Sequence, residues 1–201
     1  MVIWLVGMSG AGKRTIGREM VRRLKATHSS VVFLDKDSIR NLLGIELGTA
    51  REDPQQDGMR ISQLCRTLCQ QDIDVVCAFP GFSPQAQQWN RANIPQYFEV
   101  FIRVPFHTLV ERDSKGLYEQ VLQGGIKNVM GIDIEIPLPA TADLVFENDK
   151  PLSSFAGVAD SILQAIPCGP HHPTEMATQY LFELPRIGPR TLFPKLASQG
   201  I

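Results

Sequence analysis

The sequence predicts a single α/β domain of three layers, with a central parallel sheet and helices on both faces. Two observations carry this. Short apolar runs alternate with helical patterns along most of the chain, the arrangement that builds parallel sheets through helical crossovers. Those runs also lack the apolar–polar alternation of a half-exposed strand, so they suit strands covered on both sides.

Val2 to Val6 reads as the first buried strand and Ile16 to Lys25 as the first helix. Val31 to Leu34 is the second strand, beside the first, followed by a short helix from Ser38 to Leu43. Arg60 to Gln70 reads as a helix with Ile61, Leu64, Cys65 and Leu68 on one face. Ile73 to Phe79 is a third strand, Pro84 to Asn93 a helix and Tyr97 to Val104 a fourth strand. Thr108 to Arg112 begins another helix. Leu144 to Phe146 is the fifth strand, and the helix Leu152 to Ile166 closes the pattern.

Between Asp113 and Pro139 the pattern loosens, punctuated by Gly116, Gly124, Gly125, Gly131, Pro137 and Pro139. A long irregular segment inside a compact domain is usually functional or disordered. Residues 1–166 therefore read as one domain with a lid at about 113–139. Residues 167–201 read as a Pro-rich tail that wraps the domain or packs on a partner.

Composition narrows the function. The chain has 201 residues, 43% hydrophobic and 20% charged, with a formal net charge of −1, so no basic nucleic-acid footprint is present. The apolar start is too short for a signal-peptide core, and no stretch approaches the ~20 apolar residues of a membrane helix. Cys65, Cys69, Cys77 and Cys168 show no metal-site spacing and are expected as buried free thiols in a reducing, cytoplasmic compartment.

In open parallel sheets ligands bind beyond the carboxyl ends of the strands. Motifs fall after Val6, after Leu34 and after Phe79. The first is Gly7-Met8-Ser9-Gly10-Ala11-Gly12-Lys13, a phosphate-binding loop between a strand and a helix. Its glycines let backbone N–H groups curl around phosphates, the helix dipole favours the anion, and Lys13 reaches the outer phosphates. The fold class is thus that of a P-loop NTPase. One residue departs: Arg14 stands where a Ser or Thr hydroxyl normally binds Mg²⁺. Thr15 follows about 100° further round the helix and is not a direct substitute.

With this loop, Phe33-Leu34-Asp35-Lys36-Asp37-Ser38-Ile39-Arg40 and Arg112-Asp113-Ser114-Lys115-Gly116-Leu117-Tyr118 in view, the chain resembles the adenylylsulfate kinase family from about Val2 to Asn148. Gly125-Ile126-Lys127, Gly131-Ile132-Asp133 and Asp143-Leu144-Val145 extend the match. The resemblance implies transfer of the γ-phosphoryl group of ATP to the 3′-hydroxyl of adenylylsulfate, with Mg²⁺ accompanying ATP. It implies an ATP site of Gly7, Ser9, Gly10, Ala11, Gly12, Lys13, Arg14, Thr15 and Arg112. It implies an acceptor site of Asp37, Arg40, Arg60, Phe79, Lys127, Gly131 and Ile132, and a homodimer. Asp35, Lys13 and Lys115 are the catalytic candidates. Asp35 accepts the hydroxyl proton or anchors Mg²⁺ through water, while Asp37 fits a helix N-cap better. Arg112, Lys115 and Lys127 resemble a cationic lid that closes over both nucleotides.

Other positions depart from the family pattern. Lys36 and Ser38 interrupt an Asp-Gly-Asp-Asn run, Pro54 and Asp57 replace an arginine and an asparagine, and Met59 replaces one of two paired arginines. Most of these positions concern the acceptor, and each missing charged hydrogen bond costs ~1.5–3 kcal/mol. Two alternatives therefore stay open: a 3′-hydroxyl kinase for another nucleotide conjugate such as cytidine diphosphoramidate, and a nucleotide-binding regulatory protein without turnover.

Overall fold

The structure, a computed structural model, describes residues 1–27, 30–43, 54–79, 83–113, 116–122, 142–149 and 155–167. Five strands, β1 (Val2–Val6), β2 (Val31–Asp35), β3 (Asp74–Ala78), β4 (Tyr97–Arg103) and β5 (Leu144–Glu147), form one sheet. Its order is β2-β3-β1-β4-β5, and every neighbouring pair is parallel. The expectation that β2 lies beside β1 is corrected: β3 sits between them, pairing Ile3 with Val76 and Val76 with Phe33. Adjacent strands are ~4.8 Å apart, so the ends of β1 and β2 are separated by roughly 10 Å.

The helices are α1 (Lys13–Thr27), α2 (Lys36–Leu43), α3 (Pro54–Cys69), α4 (Pro84–Asn93), α5 (Phe106–Glu111), α6 (Leu117–Leu122) and α7 (Phe155–Ala165). Helix α6 lies inside the segment expected to be irregular. Six residues bounded by glycines are too few to show a helical period. It is started by Asp113, whose Oδ2 accepts from the N–H groups of Tyr118 (2.6 Å) and Glu119 (3.1 Å). Helix α4 begins as its sequence dictates: Pro84 occupies the first turn and the Ser83 hydroxyl caps the Ala86 amide at 3.2 Å.

Period-2 alternation divides the core into two layers. Ile3, Leu5, Val76, Val100 and Ile102 face one side, packing with Ile16 and Met20 of α1 and Val158 and Ile162 of α7. Val2, Trp4, Val6, Val75, Cys77 and Phe101 face the other, against Ile39, Ile61 and Cys65. All five residues of β1 are buried, the pattern of a central strand covered on both faces. Cys65 and Cys77 are buried free thiols as expected, whereas Cys69 is only half-buried and Cys168 lies outside the described residues. Among the described residues no helix is long and apolar enough to cross a membrane.

A buried carboxyl sits in the second layer. Glu99 of β4 is fully buried and accepts from the Tyr97 hydroxyl (2.6 Å) and the Gln87 amide (2.9 Å). Its backbone N–H donates to Asp143 at 2.7 Å, and Arg91 donates to the same Asp143 at 2.9 Å. This network ties the entry of β5 to β4 and α4. Burial pushes the Glu99 carboxyl up, and the Tyr97 hydroxyl and Arg91 charge only partly offset it.

A carboxyl whose folded value is raised stabilises the fold below its ordinary value, near 4.5, and loses that contribution as pH rises through the folded value. Glu99→Gln, which cannot ionise, should therefore gain stability relative to the wild type as pH increases above about 4.5. Paired thermal melts between pH 4 and 8 would read this as a widening gap; parallel curves would show that Glu99 does not titrate in this way.

Candidate functional site

The first layer of the site is the loop between β1 and α1. Gly7 leaves the strand with φ +154°, and a Cβ there would lie 2.7 Å from the Ile102 carbonyl oxygen of β4. Only glycine lets the chain turn that tightly against the neighbouring strand. The chain then curls through Gly10 at φ +76° into α1, whose first turn carries no acidic residue. A carboxylate at that end would be favoured by the helix dipole, so its absence leaves the positive end of α1 for an external anion.

Four carbonyls of the loop accept from groups outside it or from its own lysine. Lys13 Nζ donates to the Gly7 carbonyl at 2.8 Å and to the Met8 carbonyl at 2.7 Å. The Tyr118 hydroxyl, from α6, donates to the Ser9 carbonyl at 2.6 Å. The Asn148 side-chain amide, just after β5, donates to the Ala11 carbonyl at 3.0 Å. Asn148 is fully buried and fixed by its own N–H, bonded to the Arg103 carbonyl at 2.8 Å. Burial pushes the Tyr118 hydroxyl up to about 12, so it stays a donor at neutral pH.

Tyr118 and Asn148 were not singled out from the sequence as site residues. Tyr118 did lie within a recognised motif, and Asn148 follows a strand carboxyl end, the place where ligand sites gather.

The second layer is acidic. Asp35, the last residue of β2, is buried, and its Oδ1 accepts the Ser38 amide at 2.7 Å. Asp35 therefore caps α2, and the expectation that Asp37 would do so is corrected. The strand runs one residue further than expected, which puts Asp35 immediately before the helix and Asp37 within its first turn. Arg14, in the first turn of α1, reaches both acids. Its Nε lies 2.8 Å from Asp35 Oδ2, and its guanidinium also donates to Asp37 Oδ2. No N–H is aligned on the buried Asp35 Oδ2, so the Arg14 contact there acts chiefly through charge. Burial pushes the Asp35 carboxyl up, but the Ser38 hydrogen bonds and then Arg14 outweigh it, and its pKa falls below the ordinary value.

The remaining candidates fall as follows. Ser9, Arg14 and Thr15 are exposed and Ala11 is buried. Arg112 closes α5, its N–H bonded to the Thr108 carbonyl at 3.0 Å, one turn beyond the Leu109 side chain that packs beside Gly10. Arg60 is exposed on α3. Phe79 is buried in the core, its ring 6.5 Å from Trp4. Lys115, Lys127, Gly131 and Ile132 lie outside the described residues, as does the Arg40 side chain.

The described residues of the loop and of the end of β2 do not fit a divalent metal held directly by the protein. The loop offers a guanidinium where a hydroxyl would ligate, and the two nearby carboxylates are already paired with it. Among the described residues no group of three or more His, Cys, Asp or Glu side chains is placed to hold a metal.

Two changes test the loop. Lys13→Ala should abolish ATP binding in calorimetry; unchanged affinity would contradict a phosphate site here. Tyr118→Phe removes one hydrogen bond to the loop and should weaken ATP binding about fivefold while the fold persists. Wild-type affinity in that variant would show that the Ser9 carbonyl needs no tether.

Comparison with known proteins shows the family of the chain. A family described as Adenylylsulphate kinase matches residues 1–147. An adenylyl-sulfate kinase of Halothermothrix orenii is 36% identical over 150 residues, 75% of this chain and 81% of that one. A cytidine diphosphoramidate kinase of Campylobacter jejuni is 33% identical over 147 residues, 73% of this chain and 85% of its own. Among solved structures, the Mycobacterium tuberculosis APS kinase in complex with AMPPNP and APS superposes with a TM-score of 0.69 at 28% identity. That match covers 82% of this chain and 95% of that one.

Proposed function

Because the chain belongs to the adenylylsulphate kinase family, we propose that it moves the γ-phosphoryl group of ATP to the 3′-hydroxyl of adenylylsulfate or a close nucleotide analogue. The family is one of phosphotransferases with an alcohol acceptor, and the relatives and structural neighbours are kinases. The observation that carries the reading is the pairing of two parts. A tethered phosphate loop stands at the end of β1, and an ionised buried acid stands at the end of β2, linked to the loop by Arg14.

Phosphoryl transfer passes through a loose transition state, so the protein contributes position and charge more than covalent chemistry. The glycine-rich turn and the end of α1 hold the triphosphate, and Lys13 exchanges its loop carbonyls for outer phosphate oxygens. Asp35 is ionised at neutral pH. Its Oδ2 is buried beside Arg14 and meets the incoming hydroxyl once the guanidinium turns toward the phosphates. With a pKa below the ordinary range it is a weak proton acceptor, so its role is mainly to orient the nucleophile while the proton leaves late. Arg112, Lys115 and Lys127 complete the cationic surround in this reading, and Asp37, Arg40, Arg60, Phe79, Gly131 and Ile132 the acceptor side. The homodimer implied by the family belongs to the same proposal.

A second acceptor is favoured by specific residues. Pro54, Asp57 and Met59 stand where the family pattern has acceptor-binding groups, and a cytidine diphosphoramidate kinase matches over 85% of its length. The protein incubated with ATP, divalent metal and a panel of nucleotides containing both conjugates separates the readings through ADP release. Turnover confined to adenylylsulfate supports the first and turnover confined to another conjugate the second; ATP bound without turnover on any acceptor overturns both.

Asp35→Asn should lower the rate by about a hundredfold with little change in ATP affinity. A mutant as fast as the wild type would remove Asp35 from the reaction.

A further inference from the structure

We infer that Arg14 replaces the metal anchor of the phosphate loop, so that triphosphate binding by this protein does not depend on a divalent cation. The inference rests on the nucleotide-binding reading above and concerns how that site handles charge. A carboxylate beside a triphosphate is repelled by it unless a cation lies between them. In loops ending Gly-Lys-Ser or Gly-Lys-Thr the hydroxyl helps to hold that cation. Here the position after Lys13 carries a fixed positive charge on a long stem.

The geometry places this charge where such a cation is needed. Arg14 leaves the first turn of α1, which packs over β2 and β3, and meets Asp35 and Asp37 together. The Arg14 side chain is 44% exposed and Asp35 only 3%, so the guanidinium shields the buried acid from the open face of the site. Guanidinium carries five N–H donors in a planar fork, and those not spent on the two aspartates are free to face phosphate oxygens. Thr15, the next hydroxyl, is exposed and turned about 100° away around the helix.

Calorimetric titration of ATP and its non-hydrolysable analogue into the intact protein, in Mg²⁺ and in excess EDTA, tests this without any turnover. The wild-type affinity should change by less than about threefold between the two buffers. Arg14→Ser, which restores the hydroxyl, should bind about tenfold more weakly in EDTA than in Mg²⁺. Arg14→Lys, which keeps the charge, should stay closer to the wild type. A wild-type loss of tenfold or more in EDTA overturns the inference by itself, even if Arg14→Ser fails to fold. An Arg14→Ser protein that melts like the wild type and shows no larger response to metal also overturns it. Absence of nucleotide binding in both buffers overturns the kinase reading together with this one, whereas strongly metal-dependent binding leaves the kinase reading standing.

Discussion

The site depends on which way a few backbone carbonyls point. A loop of small residues has no side chains to define its shape, and the same glycines that allow it to wrap a phosphate allow many other paths. Here the Gly7 and Met8 carbonyls are taken by Lys13, the Ser9 carbonyl by Tyr118 and the Ala11 carbonyl by Asn148. Each bond removes a conformation in which that carbonyl would face an incoming anion. The bonds from α6 and the end of β5 persist when Lys13 turns to phosphate, so part of the loop's ordering cost is met before ligand arrives.

The acid side of the site follows from the order of the sheet. With β3 between β1 and β2, Asp35 stands two strands away from the loop. Helix α1, which follows the loop, packs over β2 and β3, and Arg14 in its first turn connects loop and acid. Asp35 is meanwhile committed by Oδ1 to the start of α2. One buried carboxylate thus carries both a cap and an ion pair. Together they outweigh its burial and depress its pKa, a secure negative charge with low appetite for a proton.

Much of this was legible in the sequence. The five strands and the phosphate loop were readable because strands buried on both faces are runs of apolar residues and because the loop needs glycines at set places; β1 and α4 fall within the expected bounds. Strand order was not readable, since a run such as Val31 to Leu34 says that it is buried but not between which neighbours. The cap of α2 was assigned to Asp37 because two acids lie close together and a one-residue change in where the strand ends decides between them. Helix α6 was hidden by its length. Asn148 left no pattern, because a single amide aimed at a carbonyl across the fold has no spacing to detect.

That last contact joins residues separated by 137 positions. At about 5–20 residues per second the glycine-rich turn is made roughly 7–27 s before Asn148, yet the turn is not fully pinned until β5 has added to the edge of the sheet. During synthesis the emerging protein therefore carries the ingredients of its pocket long before the pocket exists. Nucleotide in the cell would stabilise the finished domain by mass action and would offer little help to the growing one.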